Sequence, residues 1–316
     1  MAELNVIPNC GVSGGGNTGK TDCPFQLKLF KGAFLTPAGF KIPQSTAEDP
    51  ELLRTFLLDA ARDPNPSLRI YPIHGFVGKP EDATEAPTIQ TFGYGQPIPV
   101  REGEYAPSYQ HYDGGLCLHK ELRKFNSRGN MGVLFIDADN MLIGTTVKEG
   151  ENYFLQAIPL TRFYARAATL PDGSAVAAYL LDFVFAKNYI NDSPGFISTT
   201  GFDITSITGL QNVIVGVTGT AASEITATLK TSCGGVDLYD TYELEFEQLT
   251  AWVLAEPDGT PIAITSIAGN GNGAWVITTT APLPTAWNLN IADPETLAAP
   301  PISVDGYEGL GYKKTV

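Results

Sequence analysis

The chain has 316 residues and a formal net charge of −14, from 34 acids against 20 bases. That balance excludes a nucleic-acid grip built on clustered Lys and Arg, while the length leaves room for two domains that each bury a core. Charged residues make up only 17% of the chain, below the roughly 25% of ordinary soluble domains, as in a protein that hides surface in an assembly.

Residues 1–24 are rich in Gly, Asn, Ser and Thr and hold too few large apolar groups to repay the entropy of ordering, so we expect an arm. MAELNVIPN lacks the basic start and apolar core of a signal peptide, and the most apolar run, Ala175 to Ala186, is short and broken by Asp182, so synthesis in a cytoplasm without a membrane span is expected. From Phe25, with Leu27 and Leu29, a two-residue period predicts a strand. DPELLRTFLLDAARD then predicts a helix: Asp49 caps, Pro50 suits the first turn, and Leu52, Leu53, Phe56, Leu57 and Ala60 form an apolar face. Residues 70–112 hold short apolar runs broken by Pro and Gly, read as a long aromatic-rich hairpin or loop. A second helix is predicted over Leu116–Asn126, with Leu118, Leu122 and Phe125 on one face. MGVLFIDADNMLIGTT reads as strand, turn, strand, and the stretch around Leu170-Pro171-Asp172-Gly173 repeats that design.

At Asn191 to Gly201 the composition turns small and polar, which reads as a linker. Beyond it short strands recur at NVIVGVTG, EITATLKTS, LTAWVLAEPDG, PIAITSIAG, GAWVITTT and AWNLNIAD, a spacing that predicts a small β-sandwich of immunoglobulin-like type.

Several patterns raise the question of catalysis. Residues 14–21, GGGNTGKT, match a phosphate-binding loop, but such a loop needs a strand entering it and a helix leaving it. Pro8 to Gly11 interrupt the first, and Asp22-Cys23-Pro24 followed by a two-residue period replaces the second. Val133 to Asp137 has the form of an apolar strand ending in a magnesium-binding acid, yet it runs into a tight hairpin. Gly11-Val12-Ser13-Gly14-Gly15 spells a nucleophile elbow without its helix. The three histidines are His74, His111 and His119, and His119 is expected at a surface or interface. Asp137-Ala138-Asp139-Asn140 begins like a calcium loop, but Met141 and Leu142 stand where a ligand and a glycine belong. Cys10, Cys23, Cys117 and Cys233 show no C-x-x-C spacing and are expected as free thiols. No catalytic residue, cofactor or metal site is therefore predicted, and the chain is not expected to be an enzyme. Gly14, Gly15 and Gly16 instead give an arm conformational freedom, Lys20 and Asp22 can pair with a neighbouring subunit, and the strand from Phe25 and Leu27 offers backbone for pairing.

The order of arm, strand, helix, hairpin, helix, two hairpins, linker and sandwich resembles that of the tail tube (major tail) proteins of tailed bacteriophages. The resemblance covers residues 25–190, most specifically Thr88 to Thr146, where a hairpin leads into LCLHKELRKF and then FIDADNMLIGTT. The Leu52 to Ala61 helix is an addition to that order. The resemblance implies a mainly β chain with two helices. An assembly arm (1–24) would precede a tail-tube-like β-sandwich or barrel (25–198) and an immunoglobulin-like β-sandwich (199–316). It further implies a homo-oligomer of stacked rings, usually hexameric, within a virion tail. Other tail proteins would be its partners, and DNA would pass a neutral or acidic channel without specific binding. A capsid-associated or host-adhesion virion protein displaying the C-terminal module is the alternative.

Overall fold

The computed structural model describes residues 4–6, 28–82, 88–91, 93, 97–101, 105–126, 128–171, 177–185, 193–198 and 201–315. The chain is mainly β. It divides into two units, Met1–Ala61 with Ser67–Ile207 and Arg62–Pro66 with Thr208–Val316.

In the first unit the elements are β1 (Leu4–Val6), β2 (Phe30–Pro37), β3 (Lys41–Pro43), α1 (Gln44–Ala47), α2 (Pro50–Arg62), β4 (Tyr71–His74), β5 (Phe76–Asp82), β6 (Thr88–Thr91), β7 (Pro97–Arg101), β8 (Pro107–His111), α3 (Gly115–Leu122), β9 (Met131–Asp137), β10 (Leu142–Glu149), β11 (Asn152–Gln156), β12 (Ile158–Ala165), β13 (Tyr179–Phe185) and β14 (Pro194–Ile197). The large sheet runs β1-β14-β10-β9-β12-β13-β8-β5, with β2 and β4 added beside β9 and β11 and β3 beside β10. Strand β9 is buried along its whole length because its two faces feed two cores. Val133 and Phe135 point into an aromatic cluster with Phe30, Tyr109, Phe163 and Phe183, while Leu134 and Ile136 join the residues under α2. A strand covered on both faces has no reason to alternate, which explains its unbroken apolar run.

Helix α2 starts where the sequence places it: the Asp49 carboxylate accepts the N–H groups of Glu51 at 2.9 Å and Leu52 at 3.3 Å, satisfying donors that a helix start leaves open. Leu53, Leu57 and Ala61 are fully buried, but Leu52, expected on the same face, is 57% exposed. α3 is shorter than predicted and continues as a 3-10 turn at Arg123–Phe125. Leu122 and Phe125 are buried as expected. Both predicted hairpins form, with β9 antiparallel to β10 and β12 to β13.

Three expectations need correction. The strand foreseen from Phe25 begins, among the described residues, at Phe30, with Leu29 54% exposed. The first residues of the expected arm are not all free, because Leu4–Val6 pair with β14. The small residues read as a linker include β14 itself, which also pairs with β10. Gly195 is small because a Cβ there would collide with the Thr146 hydroxyl, so a composition typical of linkers here serves close strand packing.

In the second unit the elements are β15 (Gln211–Thr220), β16 (Glu224–Thr231), α4 (Tyr239–Tyr242), β17 (Trp252–Ala255), β18 (Ile264–Gly269), β19 (Trp275–Thr279), β20 (Trp287–Ile291), α5 (Pro294–Ala298), β21 (Tyr307–Gly309) and β22 (Tyr312–Lys314). A five-stranded sheet, β18-β19-β16-β15-β21, and a three-stranded one, β17-β20-β22, share one core. The period of two is plain in β16, where Ile225, Ala227 and Leu229 are buried between partly covered threonines. Trp275 and Trp287 are fully buried. The Trp252 and Trp275 indoles donate to the carbonyls of Phe246 at 2.8 Å and Glu243 at 3.0 Å, so these rings bring no unmet donor inside.

Candidate assembly surfaces

Gly14, Gly15, Gly16, Lys20, Asp22, Phe25 and Leu27 lie outside the described residues, and so do the rest of the phosphate-loop and elbow patterns. What the structure does show is where the two ends of that segment are fixed. On one side Leu4–Val6 form the outermost strand beside β14. On the other, Lys28 pairs with Asp139, and Lys31 contacts the Asn140 side chain and lies 3.9 Å from Asp203.

The acid that could have served magnesium or calcium is engaged by its own turn through one oxygen, while the other is buried without a hydrogen-bond partner among the described residues. Asp137 is fully buried, and one of its carboxylate oxygens accepts the N–H groups of Asp139 at 2.8 Å and Met141 at 2.9 Å. Asn140 takes a left-handed φ of 65° to close the turn, as Asn tolerates. Strand β9 is antiparallel to β2, β10 and β12, unlike the parallel strand that leads to a phosphate loop. Among the described residues no group of three or more His, Cys, Asp and Glu side chains is arranged to hold a metal. Among them, too, no helix is long and apolar enough to cross a membrane.

His119 is not at a surface: it is 1% exposed, and His111 is fully buried beside it. The ring nitrogens make a chain. His119 Nε2 lies 2.6 Å from the Arg166 carbonyl, His111 Nε2 lies 3.2 Å from His119 Nδ1, and His111 Nδ1 lies 3.3 Å from the Asp113 carbonyl. Partners this distant in sequence allow a polar ring to be buried, and local spacing cannot reveal them. Burial pushes the His111 pKa down to about 4, opposed by the Asp113 carbonyl. His74 is also lowered, again chiefly by burial.

A second network braces the outer strand β5, whose ladder with β8 shifts register between Val77 and Glu81. Arg166 Nε donates to Asp182 at 2.9 Å, and its other nitrogens reach Ser108 at 3.1 Å and Glu81 at 3.3 Å. Ser108 in turn donates to Asp182 at 2.6 Å. The Asp182 carboxylate raises the Arg166 pKa. These contacts hold Glu81 and Ser108, the two feet of the segment that carries β6 and β7. Strands β6 and β7 pair with each other in a separate two-stranded sheet, with Ile89 61% exposed.

Cys117 and Cys233 are each disulfide-bonded, which overturns the expectation of free thiols at both. Bonds between cysteines far apart in the chain leave no spacing signature. In the second unit the sheet edges are blunted: β22 ends in Lys313 and Lys314, β17 has four residues, and β18 shifts register between Ile264 and Ser266. Short strands, lysines and bulges discourage edge-to-edge pairing.

The sequence reading missed the exposed stripe of Leu116, Lys120 and Arg123 on α3. Its signal lies in LCLHKELRK, where these residues stand at i, i+4 and i+7, opposite the apolar face formed by Leu118, Leu122 and Phe125. No family model, curated protein or solved structure matches the chain.

Proposed function

We propose that the chain is a structural virion protein that self-assembles into stacked rings forming a phage tail tube, with a C-terminal immunoglobulin-like unit. The observation that carries this reading is the β6–β7 hairpin, which among the described residues is paired only with itself, in a segment whose two feet, Glu81 and Ser108, are held by the Arg166 network. An isolated two-stranded hairpin is marginal in water, so this one is suited to gain its remaining contacts from a neighbouring subunit. The order of this hairpin, α3 and the β9–β10 hairpin is the one that drew the resemblance.

The immunoglobulin-like reading of the second unit is supported by strand order. Lettered A to G, β15, β16, β17, β18, β19, β20 and β22 fall into sheets A-B-E-D and C-F-G, the arrangement of that sandwich. Trp252, at the start of the third strand, is buried as a tryptophan there should be. Blunted edges favour a unit that meets partners through its faces and loops, which is also what the capsid-surface or adhesion alternative needs.

Electron microscopy of the purified protein tests these readings. Rings or tubes are the expected outcome, whereas isolated particles or trimers would favour the adhesion alternative. Magnesium-dependent nucleotide turnover lost in Lys20→Ala would favour an enzyme.

A further inference from the structure

Among the described residues the outer face of α3 is an unpartnered stripe of one apolar and two cationic residues. Leu116 is 62% exposed, and Lys120 and Arg123 are exposed on the same side of the helix, at spacings that bring side chains together. Among the described residues neither cation has a side-chain partner, whereas Lys124 is paired with Glu121 and Arg128 lies over the Phe125 ring at 4.8 Å. Residues 115–128 hold four bases and one acid.

The second unit carries the opposite pattern. Residues 236–249 hold five acids and no base. Leu244 is 71% exposed, with Val236 at 59% and Leu249 at 47% nearby in sequence. Glu243 is engaged by Tyr239, and Glu247 accepts the Gly269 N–H at 2.7 Å. Asp240 and Glu245, on either side of Leu244, have no side-chain partner among the described residues. The segment is held firmly beneath them, since Trp252 and Trp275 donate into its backbone.

We propose that the Leu244 segment of one copy docks on the α3 stripe of a second copy, placing Leu244 against Leu116 and pairing Asp240 and Glu245 with Lys120 and Arg123. The argument for a second copy is charge complementarity: both halves of the match, an exposed leucine accompanied by two charges, positive on one patch and negative on the other, stand on the same chain. Because the two patches differ, the contact is head to tail, and it either closes into a ring or runs on as a filament. The inference rests on the assembly reading and names a contact for it. Leucine burial provides the attraction, and the charges set register and speed of encounter, so association weakens as salt rises.

The test uses the full chain, by sedimentation velocity across protein and salt concentration. Two charge-reversal variants are made, Lys120→Glu with Arg123→Glu, and Asp240→Lys with Glu245→Lys, at exposed positions except for the half-buried Glu245, and each is checked for native circular dichroism. We expect each alone to weaken association about tenfold or more, since two charge pairs turn repulsive. An equimolar mixture should recover association, because alternating copies restore opposite charges at every contact. Undiminished association in either variant, no recovery in the mixture, or a concentration-independent contact within one chain overturns the proposal. Rings or tubes that persist in both variants would remove this contact and leave the assembly reading intact. A wild-type chain that stays monomeric throughout would remove both.

Discussion

His111 shows how proton counting decides what a buried pair can do. Its contacts with the Asp113 carbonyl and His119, and that of His119 with the Arg166 carbonyl, each need one N–H, but two neutral imidazoles supply only two. The longest, to Asp113, is the one left unmade. The groups facing the pair are Asp113, Tyr179 and the backbone of Arg166, whose own charge is turned to Asp182. Nothing there favours a charged ring strongly enough to offset burial, and the His111 pKa falls to about 4. The unfolded chain, with an ordinary histidine near 6.5, therefore binds more protons than the folded one between those two values. Stability is fully present above pH 6.5 and is lost as the pH falls toward 4, by up to about 3 kcal/mol. His74 shifts in the same direction and adds to the loss. Urea denaturation from pH 7.5 to 4.5 should show this fall, together with a His111 ring resonance that does not titrate near 6.5. A flat stability profile would contradict it.

At the scale of elements, α2 is attached to the sheet by a narrow row of residues, Leu53, Leu57 and Ala61, all fully buried. Leu57→Ala leaves a cavity that neighbouring strands cannot fill and should cost about 2 to 5 kcal/mol, whereas Leu52→Ala, at an exposed site, should cost under about 1 kcal/mol. Equal losses in chemical denaturation would mean that the helix packs by another face. This helix was legible in the sequence because its cap, its proline and its period all act within a few residues. The β9–β10 and β12–β13 hairpins were legible for the same reason. Strand β14 was not, since Gly195 answers to Thr146 on a distant strand. His119 and the disulfide state of Cys117 and Cys233 depend on equally remote partners. Lys20, Asp22 and the other arm residues named from the sequence lie outside the described residues, while the α3 stripe is readable in the sequence from its i, i+4, i+7 spacing.

At the scale of the molecule, composition alone suggested a cut near Ser198, but the first unit extends to Ile207. Ile204 and Ile207 are fully buried in the core beneath α2, and the Ile207 carbonyl lies 2.9 Å from His74 Nε2. Truncation after Ile207 should leave a cooperatively folding protein. Truncation after Ser198 should lower its thermal midpoint by several degrees, because two buried apolar side chains are worth about 3 kcal/mol or more. Equal midpoints for the two truncations would show that residues 199–207 are not structural.

Residues Arg62–Pro66 belong to the second unit although they interrupt the first, and Arg62 is paired there with Asp305. The chain thus passes from one unit to the other three times. A C-terminal module attached through a single peptide could be exchanged between proteins as a cassette, by recombination at one junction. Here such an exchange would carry residues 208–316 away from five residues encoded far upstream, Arg62–Pro66. The incoming module would have to accept the resident Arg62–Pro66, and the outgoing one would arrive elsewhere without the partner of its Asp305. Inheritance of the two units should therefore be coupled, with changes at Asp305 matched by changes at Arg62.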